Sequence, residues 1–194
     1  MIVWINGAFG SGKTSVSNEL DIRLENSYVY DPEEVGFFIR ENIPSKLKNS
    51  DFQDFNLWRE FNYKMLSYIH SNYGGTIVVP MTIINKSYLD EIVGKLKSEG
   101  ITVKHFTLIA SKNILLDRLN RRGDGENSWI HNRIDSYIEC FNSEYFKEHI
   151  ITDKRTIEEI TEIIATSCNL ELLTKYEIDN KEVRRRLEKD LVSD

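Results

Sequence analysis

Ile2-Val3-Trp4-Ile5-Asn6-Gly7-Ala8-Phe9-Gly10-Ser11-Gly12-Lys13-Thr14 runs four mostly apolar residues into the pattern G-x-x-x-x-G-K-T. Ile2 to Ile5 reads as a short buried strand, and the spacing from Thr14 to Leu24 predicts a helix with Val16, Leu20 and Leu24 on one side. Between the two lies a phosphate-binding loop. Its glycines let Gly7, Ala8, Phe9, Gly10, Ser11 and Gly12 turn tightly, so that main-chain N–H groups and the positive end of the helix face an anion. Lys13 adds a mobile positive charge for the β and γ phosphates, and Thr14 offers a hydroxyl to Mg²⁺. ATP and Mg²⁺ are therefore the expected cofactors.

The 194 residues are enough for one substantial core, and one domain is expected. Hydrophobic residues make up 40% and charged residues 29%, the balance of a folded globular chain. With 25 Lys and Arg against 31 Asp and Glu, the net charge of −6 disfavours general attraction to nucleic acid. Cys140 and Cys168 lie far apart without metal or redox spacing, which suits two structural thiols in a reducing cytoplasm. No apolar run approaches the length of a membrane span, and the first strand breaks too early, at Asn6-Gly7, to be a signal peptide.

Strand and helix signals alternate along the whole chain. Tyr28 to Tyr30 reads as a second strand ending at Asp31-Pro32, with a helix through Glu33 to Glu41. Phe52 to Tyr73 is a long aromatic-rich helical region in which Phe55, Trp58, Phe61 and Tyr68 suit a core stripe. Strands follow at Thr76 to Val79, Val103 to Ala110 and His149 to Thr152, each with a helix: Ser87 to Ser98, one capped by Ser111, and Ile157 to Cys168. Ile130 to Phe141 and Lys181 to Val192 also read as helices. The alternation predicts an α/β fold with a parallel five-stranded sheet and helices on both faces.

The blocks W-I-N-G-A-F-G-S-G-K-T, Y-V-Y-D-P (Tyr28 to Pro32), W-R-x-F-N-Y (Trp58 to Tyr63), V-P-M-T (Val79 to Thr82), H-F-T-L (His105 to Leu108) and N-S-W (Asn127 to Trp129) occur in order. In these the chain resembles the tunicamycin-resistance protein family, a branch of the P-loop NTPases related to nucleoside, nucleotide and small-molecule kinases. The resemblance covers roughly the first 165 residues. It implies ATP binding, resistance to tunicamycin, a lipid-linked uracil nucleoside antibiotic, and for some members a peripheral membrane location. The expected layout is a kinase-like domain over 1–170, with a region covering the acceptor at about 33–73, a lid at about 121–130, and a helical extension over 171–194.

Asp31 follows the second strand, where the ends of parallel strands line a ligand crevice beside Lys13. It can accept a proton from an attacking hydroxyl, hold Mg²⁺ through water, or simply cap the next helix. The third strand ends in Pro80-Met81-Thr82, without the acid that many P-loop proteins place there; either Asp31 joins Thr14 as a metal ligand, or Thr14, phosphate and waters suffice, or nucleotide is bound without efficient turnover. Arg118 and Arg122 share a helix face and are expected to clamp phosphates and stabilise charge in phosphoryl transfer; Arg121 is offset from that pair, and a solvated basic face pairing with Asp117, Asp124 and Glu126 accounts for one of the three. The place of the acceptor-covering region in similar kinases makes Trp58, Arg59 and Tyr63 candidates for substrate contact. Thr82 is another, or else a satisfied turn hydroxyl. The narrow Val183, Leu187, Leu191 stripe among Lys181, Arg184, Arg185 and Arg186 allows a peripheral lipid contact, although packing on its own domain suits it better. Three functions fit: phosphorylation of a small hydroxyl-bearing molecule such as tunicamycin, sequestration of the antibiotic without modification, and a cellular nucleoside or nucleotide kinase.

Overall fold

The computed structural model describes residues 1–123, 133–146 and 148–181. Its centre is a five-stranded sheet of order β2-β3-β1-β4-β5, parallel throughout, built from β1 (Ile2–Gly7), β2 (Ser27–Val29), β3 (Thr76–Pro80), β4 (Val103–Ile109) and β5 (His149–Ile151). Successive side chains of β1 point to opposite faces, so the strand contributes to two cores. Val3 and Ile5 meet Val16 and Leu20 of α1 (Lys13–Arg23) and Ile160 and Ile164 of α8 (Ile157–Ser167). Ile2 and Trp4 join the core of the other face, with Trp58 and Leu66 of α3 (Asn56–Asn72), Ile92, Leu115 and Leu119 of α6 (Lys112–Arg121), and Phe141 of α7 (Ile134–Phe141). Helices thus cover both faces, as the alternation of signals requires.

Several elements differ from expectation for local reasons. The aromatic region does not begin as an α-helix: Asp51 accepts a hydrogen bond from the Gln53 N–H at 2.9 Å and starts a 3-10 turn over Phe52–Asp54, and Phe55 is extended before α3. The buried side of α3 carries Trp58, Arg59, Asn62 and Leu66, leaving Phe61 and Tyr68 exposed, so the expected core stripe is corrected. The expected Ser87 to Ser98 helix is α4 (Lys86–Leu89) and α5 (Lys95–Ser98), joined by a π-helical turn at Asp90–Gly94. Ser111 stands at the N-cap of α6, but its side chain caps nothing; its N–H donates to Asp153 Oδ1 at 2.8 Å. Most of the expected lid and of the terminal helix lie outside the described residues. At the described end of the chain, Lys181 is buried and donates to the Asp21 carbonyl at 2.5 Å and to that of Leu24, near the end of α1.

Candidate functional site

β1 and β3 lie side by side, so the loops at their carboxyl ends meet. Asn6, wholly buried at the end of β1, accepts N–H bonds from Gly7 at 2.9 Å and Ile83 at 3.0 Å, and donates to the Ile83 carbonyl at 2.9 Å. Thr82 Oγ1 donates to the Gly7 carbonyl at 2.9 Å. One asparagine and one threonine therefore fix the start of the phosphate loop. Gly7 has φ 143°, and a Cβ there would come within 2.7 Å of the Leu108 carbonyl oxygen. Neither the torsion nor the space admits a side chain.

Gly12, at φ 102°, occupies the N-cap of α1 without a side-chain cap, and the first turn holds no acid. The first-turn N–H groups and the helix dipole are thus left facing the cleft. Lys13 lies alongside, donating to the Gly7 and Ala8 carbonyls at 3.1 Å each, with its ammonium 5.4 Å from the centre of the Phe9 ring. Burial lowers its pKa to about 8; Glu33 and Asp31 oppose that shift and Arg122 adds to it. The ammonium is short of solvation and would gain from a phosphate.

The cleft has a volume of about 530 Å³, and Lys13, Thr14, Asp31, Glu33, Arg118 and Arg122 are among its lining residues. All four expected catalytic residues and the expected metal pair are therefore brought together. Asp31 is exposed, and its Oδ1 accepts from the Glu33 N–H at 2.9 Å as the N-cap of α2 (Pro32–Glu41). Arg118 donates to the Gly10 carbonyl and to Thr152 Oγ1, both at 3.2 Å, which ties the phosphate loop to the end of β5. Arg121 pairs with Asp117 at 3.0 Å.

Glu33 is the acid that the sequence reading passed over. It is half-buried two residues beyond Asp31, and its carboxyl pKa is raised by burial first and by Asp31 second, against the pull of Lys13 and Arg122. D-P-E was the available signal, because a proline at the first helical position puts the acid two residues on in the same first turn. Arg155 and Thr156, also unforeseen, line the cleft from the loop before α8.

The other substrate candidates are engaged elsewhere. Trp58 is fully buried and donates its indole N–H to the Pro32 carbonyl at 2.9 Å, supporting the start of α2 from within the core. Arg59 pairs with Glu91 at 2.6 Å, donates to the Gln53 carbonyl at 2.6 Å and stacks over the Tyr88 ring. Tyr63 binds Glu99 through its hydroxyl, with Lys95 over its ring. Thr82, only 2% exposed, is the satisfied turn hydroxyl described above. None of the four side chains lines the cleft.

A second cavity of about 300 Å³ adjoins the cleft and shares Phe9 and Glu33 with it. Gln53 on its wall donates to the Thr82 carbonyl at 3.0 Å, so a chain of hydrogen bonds joins this wall to the phosphate loop. A larger open depression of about 960 Å³ runs along β5 and α8, but it contains no part of the phosphate loop.

Sheet order, loop and cleft define a P-loop nucleotide-kinase-like protein. The AAA domain family matches residues 3–139. The chain belongs to that family and, within the P-loop proteins, to the tunicamycin-resistance protein family. It is 30% identical to the Deinococcus radiodurans tunicamycin resistance protein over 89% of this chain and 98% of that one, with a TM-score of 0.77. A sugar kinase from Janibacter sp. HTCC2649 shares the fold at a TM-score of 0.59 and 17% identity, over 87% of this chain and 94% of that one. APS kinase from Mycobacterium tuberculosis, solved with AMPPNP and APS, does so at 0.54 and 16%, over 85% and 95%. Comparison with curated proteins finds no match.

Proposed function

We propose that the protein is an ATP-dependent phosphotransferase acting on a small hydroxyl-bearing molecule, with tunicamycin as the candidate acceptor and resistance as the outcome. The observation that carries the reading is the uncapped start of α1, with Lys13 beside it and the Glu33 carboxyl lining the same cleft. The loop N–H groups and Lys13 hold the phosphates, and Arg122 answers charge that develops during transfer. Arg118 keeps the loop in place. Glu33 takes the hydroxyl proton while Asp31, committed to its cap, supports the local charge.

Mg²⁺ fits this donor set as an ion brought by the nucleotide. Among the described residues no cluster of three His, Cys, Asp or Glu side chains is present, but the exposed Thr14 hydroxyl lines the cleft with Asp31 and Glu33. When bound, it neutralises phosphate charge. We place the activity in the cytoplasm, where ATP is supplied; among the described residues no helix is long and apolar enough to cross a membrane.

Mass spectrometry of tunicamycin after incubation with protein, ATP and Mg²⁺ tests the proposal. The expected product carries one phosphate. Antibiotic that is bound but unmodified would make the protein a sequestering one, and phosphate appearing only on a nucleoside or nucleotide would make it a cellular kinase.

A further inference from the structure

We infer that Thr82 is a positioning residue for nucleotide binding, whose hydroxyl keeps the Gly7 carbonyl satisfied when the Lys13 ammonium leaves that carbonyl for phosphate; this rests on the nucleotide-binding half of the phosphotransferase reading and not on the transfer itself. The Lys13 ammonium donates to two carbonyls of its own loop, those of Gly7 and Ala8, at 3.1 Å each. Both residues are buried, so a carbonyl that lost its only donor there would forfeit a hydrogen bond without regaining one from water. Each carbonyl has a second donor. The Ser11 N–H reaches the Ala8 carbonyl at 3.1 Å, and the Thr82 hydroxyl reaches the Gly7 carbonyl at 2.9 Å. A carbonyl oxygen has two lone pairs, so it holds both donors at once and keeps one when the other leaves. The loop's own backbone serves Ala8, whereas Gly7 is served by a side chain 75 residues away in sequence. Lys13 can therefore turn from the loop to a phosphate without orphaning either oxygen.

Thr82 is fixed by contacts that do not involve Lys13. It is buried at the end of β3, and Asn6 binds both the N–H and the carbonyl of the next residue, Ile83. The Thr82 carbonyl accepts from Gln53 Nε2 at 3.0 Å. The Gln53 carbonyl is bound in turn by Arg59, which pairs with Glu91, each at 2.6 Å. Arg59 thus reaches the phosphate loop through Gln53 and Thr82, without touching the cleft. In the free protein, loss of the Thr82 hydroxyl leaves Lys13 on the Gly7 carbonyl. The cost then falls on the nucleotide complex rather than on the fold, which separates this role from simple support of the strand end.

Calorimetric titration of AMPPNP with Mg²⁺ into the full chain tests the inference, with the melting temperature of the free protein as the check on folding. Thr82→Val keeps the shape but removes the hydroxyl, and it should weaken AMPPNP about tenfold with a melting temperature close to wild type. Thr82→Ser restores the hydroxyl and should bind within about threefold of wild type. In a Lys13→Ala background, where no ammonium has to leave, Thr82→Val should cost little further affinity. Gln53→Leu, outside the phosphate cleft, keeps the hydroxyl but loosens its main chain; it should weaken AMPPNP about threefold, and it decides the matter if Thr82→Val does not fold. The inference is overturned if folded Thr82→Val binds AMPPNP like wild type, if Thr82→Ser binds as weakly as Thr82→Val, or if the cost of Thr82→Val persists undiminished without Lys13. Where Thr82→Val does not fold, wild-type affinity in Gln53→Leu overturns it. Binding is read without transfer. The expected losses in a protein that transfers no phosphate would therefore remove the phosphotransferase reading while leaving the role of Thr82 standing.

Discussion

Two helices begin at the same cleft and are finished in opposite ways. α2 starts with Asp31 as a side-chain cap, Pro32 at its first turn, and two acids, Glu33 and Glu34, against its positive end. α1 starts with Gly12 in a left-handed conformation, no side-chain cap and no acid in its first turn. Caps and first-turn acids each stabilise a helix by a few tenths to about 2 kcal/mol. The helix without them keeps its N–H groups and dipole for a ligand, whereas α2 spends the same features on itself. The difference teaches that the positive end of a helix can be closed by its own side chains or left open to a ligand. Asp31 caps α2 and lines the phosphate cleft, and Glu33, two residues further, lines both cavities.

The sharpest way to break this comparison is to neutralise the two acids separately. Glu33→Gln should lower phosphoryl transfer about a hundred- to ten-thousand-fold with little change in ATP affinity, as read from steady-state kinetics. Asp31→Asn should stay within a few-fold of wild type, because asparagine caps as well as aspartate. The reverse pattern would return the proton-accepting role to Asp31.

A smaller effect follows from Lys13. Its free-state pKa of about 8 lies below the 10.5 of an ordinary lysine, and bound phosphate should raise it again. ATP binding should therefore take up a proton, and affinity should fall by up to about tenfold per pH unit as pH rises above about 8. Calorimetry in buffers of different ionisation enthalpy measures that uptake. For the free protein the sign is opposite. Between pH 8 and 10.5 the unfolded chain holds the Lys13 proton that the folded one has lost, so this group makes stability rise with pH across that window. Proton release on binding would contradict the assignment of Lys13 as a desolvated cation awaiting an anion.

The smallest effect separates cap from charge in α2. Asp31→Ala should cost about 1 kcal/mol in denaturant unfolding while Asp31→Asn costs almost nothing. Equal losses in both would mean that the aspartate charge, rather than the hydrogen bond to the Glu33 N–H, stabilises the start of α2.

How much of this was legible in the sequence depended on whether a residue's role is local. The phosphate loop was readable because Gly7, Gly12 and Lys13 answer demands set within a few residues of chain. The sheet was readable because β1, β3 and β4 are apolar runs between helical periods. The contacts of Trp58, Arg59 and Tyr63 were not legible, because their partners, Pro32, Glu91 and Glu99, are distant in sequence, and no periodicity names them. Asn6 left one faint signal, a polar side chain inside an otherwise apolar strand, which asks for a buried partner; that partner is Ile83, 77 residues away. The second cavity left none, since it exists only where the phosphate loop, α2, the 3-10 turn, the end of β3 and α7 converge.

The central claim is that the open start of α1, with Lys13, is where phosphate is held, and calorimetric titration of ATP with Mg²⁺ into wild type and Lys13→Ala tests it most directly. The account predicts a folded variant whose melting temperature is nearly unchanged and whose ATP affinity falls by one to two orders of magnitude, about the worth of one or two charge-assisted hydrogen bonds. Equal affinity in the folded variant would contradict it.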